Sequence, residues 1–152
     1  MQARLEPYKA APGVLKAMRA LQDHVNQCGL QPTLLELVKL RASQINGCAF
    51  CIAMHAADAR KLGESADRLD LLPAWREAPV YTARERAALA WTEALTRLSD
   101  GPVPDAVYDE ARRHFSDAEL VNLTLAIVAI NGWNRINVAF QVPPQLAAAK
   151  AA

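Results

Sequence analysis

Glycine and proline cut this chain into pieces of helical length, and nothing between the cuts alternates as a strand would. The breaks fall at Pro12-Gly13, Gly29, Gly47, Gly63, Pro73, Pro79, Gly101-Pro102 and Pro143-Pro144. Proline lacks a backbone donor and glycine loses the most freedom on ordering, so both end regular structure. Between the first two breaks Val14, Met18, Leu21 and Val25 recur at three- and four-residue steps, the period of one buried helix stripe. Pro32, whose missing N–H is harmless in a first turn, opens a second helix ending at Asn46-Gly47. A third runs from about Cys48 to Leu62, and Ser65 caps a short segment around Arg68 to Leu72.

Thr82-Ala83-Arg84-Glu85 and Ser116-Asp117-Ala118-Glu119 both fit the capping box, in which hydroxyl and carboxylate satisfy each other's free backbone donors. The pattern predicts helices from these caps to about Leu98 and to about Phe140, with another from Pro104 to near His114. Trp75 to Tyr81 is the longest connection without structure. A chain of 152 residues with 52% apolar content can bury one core. The expected fold is therefore all-α, a single multihelical domain over residues 1–152. The last helix is apolar nearly all round from Leu120 to Ile130, which implies burial in the bundle or between subunits and favours a homo-oligomer.

The charge balance narrows the partners. Seventeen Lys and Arg stand against 16 Asp and Glu, a net charge of +1, so no basic field exists to hold a phosphate backbone, and nucleic acid is excluded as an expected partner. The opening Met1-Gln2-Ala3-Arg4-Leu5-Glu6-Pro7 lacks the apolar stretch of a secretory signal, and no run of apolar residues is long enough to span a bilayer. The expected compartment is the reducing cytoplasm, with no membrane contact. Three cysteines there are unlike a static disulfide framework, so a close pair is expected to be redox-active, catalytic or metal-binding.

Cys48-Ala49-Phe50-Cys51 is such a pair, placed directly after Asn46-Gly47 at a helix N-terminus. The free N–H groups and positive dipole end there favour a thiolate and lower its pKa from about 8.5 towards 7. Residues three and four apart share a helix face, so Cys48, Cys51 and His55 form one stripe. The two sulfurs can bridge, and His55 can take the Cys51 proton directly or through one water. Glu36 joins them if the helices on either side of Asn46-Gly47 pair antiparallel. It stands ten residues before Asn46 and His55 eight after Gly47, roughly 15 and 12 Å from the turn and within one helical pitch of each other. A carboxylate there orients His55 and stabilises its protonated form.

The run Glu36-Leu-Val-Lys-Leu-Arg-Ala-Ser-Gln-Ile-Asn-Gly-Cys48, continuing through Cys51 to His55, resembles the core of the alkylhydroperoxidase AhpD-like proteins, also called the carboxymuconolactone decarboxylase family. The likeness extends more loosely through Trp75-Arg76-Glu77, Thr82 to Thr96 and Ile130 to Arg135. It implies an all-helical AhpD-like fold, trimers or hexamers, and reduction of organic hydroperoxides. It further implies Cys51 as the attacking thiolate, Cys48 as the resolving thiol, and His55 with Glu36 as the proton relay. No bound cofactor is implied; an external thiol, such as a dihydrolipoyl group, restores the dithiol. The first helical turn is expected to leave Cys48 the more accessible sulfur for that exchange.

Other readings use the same residues. A lactone decarboxylase would employ His55 and Glu36 for proton transfer without needing the cysteine pair, and a redox sensor would use the disulfide to switch an interface. A zinc site would need four ligands, whereas Cys28 and His24 lack further partners, so no metal is expected and Cys28 is read as a small buried apolar residue. His24 and His114 read as surface or helix-end residues. Glu36 has an ordinary reading as a helix residue paired with Lys39 or Arg41. Trp133, Asn134, Arg135 and Asn137 set polar groups into an apolar helix and read mainly as structural or interface bonding, with pocket lining the minority view.

Overall fold

The structure, a computed structural model, describes residues 2–146. The remainder of the expected 1–152 span lies outside the described residues. Among them are eight α-helices and no strand: α1 (Pro7–Ala10), α2 (Pro12–Gln27), α3 (Pro32–Ile45), α4 (Ala49–Lys61), α5 (Ala66–Asp70), α6 (Ala83–Thr96), α7 (Asp105–His114) and α8 (Asp117–Ala139). Short 3₁₀ turns at Leu72–Ala74 and Leu98–Asp100 follow α5 and α6. None of the described helices is long and apolar enough to cross a membrane. Both capping boxes form: Thr82 and Ser116 accept from the backbone of Glu85 and Glu119, whose carboxylates accept in return.

Helix α3 is the axis of the molecule, packed against α4, α6 and α8. Every residue from Leu34 to Ser43 is buried, including Glu36, Lys39, Arg41 and Ser43. A helix buried all round must hand each charged side chain a partner, since an unpaired charge away from water costs several kcal/mol. Glu36 finds Lys39 and His55, Arg41 finds Glu93, and Ser43 Oγ donates to the Lys39 carbonyl. These charged positions of α3, which in sequence resemble a solvated face, thus mark where the interior holds polar machinery.

Trp75 to Tyr81 contains no α-helix, as expected, yet it is ordered. Trp75, Ala78 and Tyr81 are buried, and Arg86 donates to the carbonyls of Trp75 and Ala78 at 2.8 and 3.1 Å. Glu93 fixes the loop to the core by accepting from Trp75 Nε1 at 2.9 Å, Arg41 Nε at 2.8 Å and Arg76. Burial pushes the Glu93 carboxyl up, but these donors outweigh it and hold its pKa below the ordinary carboxylate value. Its stabilisation is therefore full above the unfolded carboxylate pKa and is lost as pH falls through the lower folded value. Glu93→Gln strands the buried Arg41, at a cost on the order of 3–5 kcal/mol, or roughly 10 °C in Tm for a chain of this size. Calorimetry across pH will show that loss at neutrality, together with a weaker acid dependence in the variant.

The apolar segment of α8 does not disappear into the single chain. Leu120, Leu123, Ala126, Ile127, Ala129 and Ile130 face the core, but Val121 is 68% and Val128 54% exposed. The other departure is α1, which no periodicity signals. Its segment is tied to the end of α8 by Arg4, which donates from its backbone to the Phe140 carbonyl at 2.9 Å and from its guanidinium to the Ala139 carbonyl at 3.1 Å.

Candidate functional site

The turn between α3 and α4 sets the site. Gly47 adopts φ +64, a left-handed conformation that a side chain would strain. Asn46 then anchors the turn to α8, its amide donating to Asn131 and Asn134 at 2.9 Å each. Cys48 follows as the N-cap of α4, with its sulfur accepting from the Cys51 N–H at 3.4 Å. The two sulfurs lie 2.6 Å apart as free thiols, Cys48 donating to Cys51. A disulfide of about 2.05 Å is thus reached by a sub-ångström approach.

His55 sits one turn beyond Cys51, as the spacing predicts. Its Nδ1 is 2.7 Å from Glu36 Oε2, and Lys39 Nζ is 2.9 Å from Glu36 Oε1. Glu36 therefore makes both expected pairings, one oxygen to Lys39 and the other to His55. Burial pushes the Glu36 carboxyl up, but the bond and charge of His55, then Lys39, bring it below the usual carboxylate range. Glu36 stays ionised at neutral pH, which fixes the His55 ring and favours the tautomer or cation carrying a proton on Nδ1. No direct hydrogen bond joins His55 to either sulfur among the described residues, leaving proton exchange to an approach of the ring or to one water.

The two cysteines are driven apart in acidity. The Cys48 S–H bond comes first in holding Cys51 down to about 6; burial opposes it, while the amides of Asn137 and Asn134 and the charge of His55 assist. The same sulfur contact, with burial, pushes Cys48 well above the ordinary thiol value. At pH 7 a thiol of pKa 6 is about 90% thiolate, so the pair is a nucleophile beside a protonated thiol.

A cavity of about 830 Å³ opens over this pair. Cys51, His55, Glu36 and Asn137 form its polar floor, and Leu15, Phe50, Met54 and Trp133 supply apolar wall. The expectation that Cys48 is the more accessible sulfur is not met, because both sulfurs are enclosed. Cys48 is 1% and Cys51 0% exposed, and only Cys51 borders the cavity. As the N-cap, Cys48 turns its sulfur back over the helix start, and both cysteines pack in one buried cluster with Ala42 and Ile130. A small side-chain movement at the cavity floor is needed before any reagent reaches sulfur.

Asn137 and Trp133 line the cavity, so for these two the pocket reading prevails over purely structural bonding. Asn134 keeps the structural one, donating to Ser43 at 3.0 Å, and Arg135 bonds to Asn131. Tyr8, which nothing in the sequence singles out, donates to Asn137 at 2.9 Å and borders the same cavity. Asn137 in turn donates to Cys51 Sγ at 3.4 Å. Cys28, at the end of α2, is half-buried against the main core cluster, rather less enclosed than expected. His24 faces Asn122, and His114, in the last turn of α7, faces Glu110. The metal-type side chains that converge here are Glu36, His55 and Asp58, within 4.8 Å. Neither cysteine belongs to that set, and both Glu36 oxygens already have partners.

A helical bundle presenting a buried dithiol at a helix start, beside a histidine–carboxylate pair, defines an AhpD-like protein. The chain belongs to the carboxymuconolactone decarboxylase family, whose model matches residues 12–94. An uncharacterised Bacillus subtilis protein, YdfG, is 42% identical over 139 residues, 91% of this chain and 95% of its own. An Agrobacterium tumefaciens protein of unknown function, proposed to be an antioxidant defence protein AhpD, superimposes with a TM-score of 0.94 at 44% identity. It covers 96% of this chain and 100% of its own. A peroxidase-related protein of Silicibacter sp. TM1040 gives 0.77 at 26% identity, over 86% of this chain and 70% of its own. Family and neighbours together place the chain in an enzyme-like group.

Proposed function

We propose that this protein is a thiol-dependent peroxidase acting on organic hydroperoxides through a Cys48–Cys51 dithiol/disulfide cycle. The observation that carries the reading is the placement of the Cys48 and Cys51 sulfurs side by side, 2.6 Å apart, at the start of α4. Nucleophile and resolving thiol are already adjacent. The Cys51 thiolate attacks the distal peroxide oxygen, the O–O bond breaks, and the leaving alkoxide takes a proton from His55 to depart as an alcohol. Cys51 is then a sulfenic acid. Cys48 condenses with it, forming the disulfide and releasing water. An external dithiol, of the dihydrolipoyl kind, restores both thiols by exchange and leaves as its own disulfide.

The apolar walls favour an organic peroxide over hydrogen peroxide. A lactone decarboxylase would use His55 and Glu36 but leave the sulfur contact without a purpose, and a redox sensor would form the disulfide without turnover. The cytoplasm suits the cycle, because a reducing compartment keeps the dithiol ready.

Stoichiometric cumene hydroperoxide followed by mass spectrometry of alkylated peptides tests the cycle. The result expected is one intramolecular Cys48–Cys51 disulfide, reversed by dithiol. Persistently reduced cysteines, or only intermolecular products, would exclude the two-cysteine cycle.

The trimer or hexamer implied by the family resemblance is part of the same proposal. It would cover Val121, Val128 and Val138, each at least 45% exposed in the single chain. Light scattering at micromolar concentration will give a mass several times 16.6 kDa; a monomer would refute this.

A further inference from the structure

The Cys51 sulfur has a side-chain N–H donor on α8, and that donor is itself held. Asn137 is 4% exposed on α8; its Nδ2 faces the Cys51 sulfur at 3.4 Å while its Oδ1 accepts from the Tyr8 hydroxyl at 2.9 Å. We infer that Tyr8 and Asn137 form a positioning clamp that keeps an N–H aimed at the Cys51 thiolate, making the N-terminal segment a working part of the active site. This rests on the reading of Cys51 as the reacting thiolate.

A primary amide has two nearly isosteric ends, one a donor and one an acceptor. Turned one way, Asn137 stabilises the thiolate. Turned the other, it sets a carbonyl dipole against a negative sulfur in a buried setting, where such interactions are strong. Something must break the tie before charge appears, and a hydroxyl that donates to Oδ1 does so.

Tyr8 is suited to the task. Its ring packs edge-on against Trp133 with centroids 5.9 Å apart, and its segment is tied to α8 by Arg4. Burial first, then charge at the nearby cysteines, Cys51 before Cys48, pushes its pKa up to about 12. The phenol therefore keeps its proton, and remains a donor, throughout the range in which Cys51 ionises. The titratable and charged groups around Cys51 and its cavity are Cys48 at the start of α4, His55 and Asp58 on α4, Glu36 and Lys39 on α3, Arg19 and Asp23 on α2 and Tyr8 on α1, while Asn134 and Asn137 of α8 are uncharged. A tyrosine that acts through the amide, and not directly on the sulfur, leaves a signature.

That signature is non-additivity. Iodoacetamide labelling of Cys51 against pH, read peptide by peptide in the full chain, gives the thiolate midpoint for wild type, Tyr8→Phe, Asn137→Ala and the double variant. Tyr8→Phe keeps the ring on Trp133 and removes only the hydroxyl. A wild-type midpoint near 6 is expected, rising by about one unit in Asn137→Ala and by half to one unit in Tyr8→Phe. One unit corresponds to about a tenfold slower labelling below both midpoints. In the Asn137→Ala background, Tyr8→Phe will add nothing. Should Asn137→Ala fold poorly by circular dichroism, the Tyr8→Phe shift alone decides. A Tyr8→Phe midpoint equal to wild type, or an equal shift with and without Asn137, overturns the clamp and leaves the thiolate reading intact. A wild-type midpoint near 8.5 overturns both.

Discussion

Replacing Cys51 by Ser will reduce dithiol-dependent consumption of cumene hydroperoxide to the buffer background, while replacing Cys48 by Ser will leave a single turnover when no dithiol is added. The difference follows from the division of labour between the sulfurs. Cys51 is the thiol held down to about 6 and the one bordering the cavity, and a serine hydroxyl in its place is un-ionised and a poor nucleophile for oxygen. Cys48→Ser keeps an O–H that can still donate to the Cys51 sulfur. The first step survives, but the sulfenic acid has no internal thiol to condense with, and without added dithiol the cycle stops there. One equivalent of peroxide will be consumed and Cys51 will become labelled by a sulfenic-acid reagent. Cys48→Ala, lacking any donor, will also lift the Cys51 midpoint. If Cys51→Ser turns over at the wild-type rate, the chemistry belongs elsewhere.

His55→Ala is expected to lower peroxidase turnover by about 10²–10⁴-fold, the usual contribution of a positioned acid–base group. Glu36→Gln will act in the same direction more weakly. A neutral amide still fills the space beside His55 Nδ1 but no longer offers it a carboxylate, and it leaves Lys39 without its anion. Both variants will raise the Cys51 midpoint, because the His55 charge is one of the influences holding it down. Labelling rate against pH and turnover should therefore move together. Unchanged values in His55→Ala would mean that Cys48 and the helix start suffice to activate the thiol, and Glu36 would lose its assigned role with His55.

The parts of this site that lie close in sequence were legible in advance. Asn46-Gly47 announces the turn, the i, i+3, i+7 positions align Cys48, Cys51 and His55, and equal distances from the turn bring Glu36 opposite His55. Each inference needs only helix geometry and one hairpin. Burial of α3 on every side was not legible, because Lys39 and Arg41 resemble a solvated stripe until Glu36 and Glu93 are seen against them. The orientation of Cys48 failed for a local reason. Spacing treats it as a helical residue, whereas an N-cap with φ −83 and ψ 92 swings its side chain back over the helix. Tyr8 and Asn137 are 129 residues apart; the polar interruption of α8 hinted at Asn137, but no pattern in the first ten residues marks Tyr8.

A thiol-dependent peroxidase reduces an organic peroxide with a dithiol catalytically, not stoichiometrically. Steady-state consumption of cumene hydroperoxide with dihydrolipoamide as donor, compared with hydrogen peroxide under the same conditions, measures this directly. Many turnovers per Cys51, faster with the organic peroxide and absent without the dithiol, are the result predicted. A protein that forms its disulfide once and then consumes no further peroxide, with dithiol in excess, would contradict the proposal.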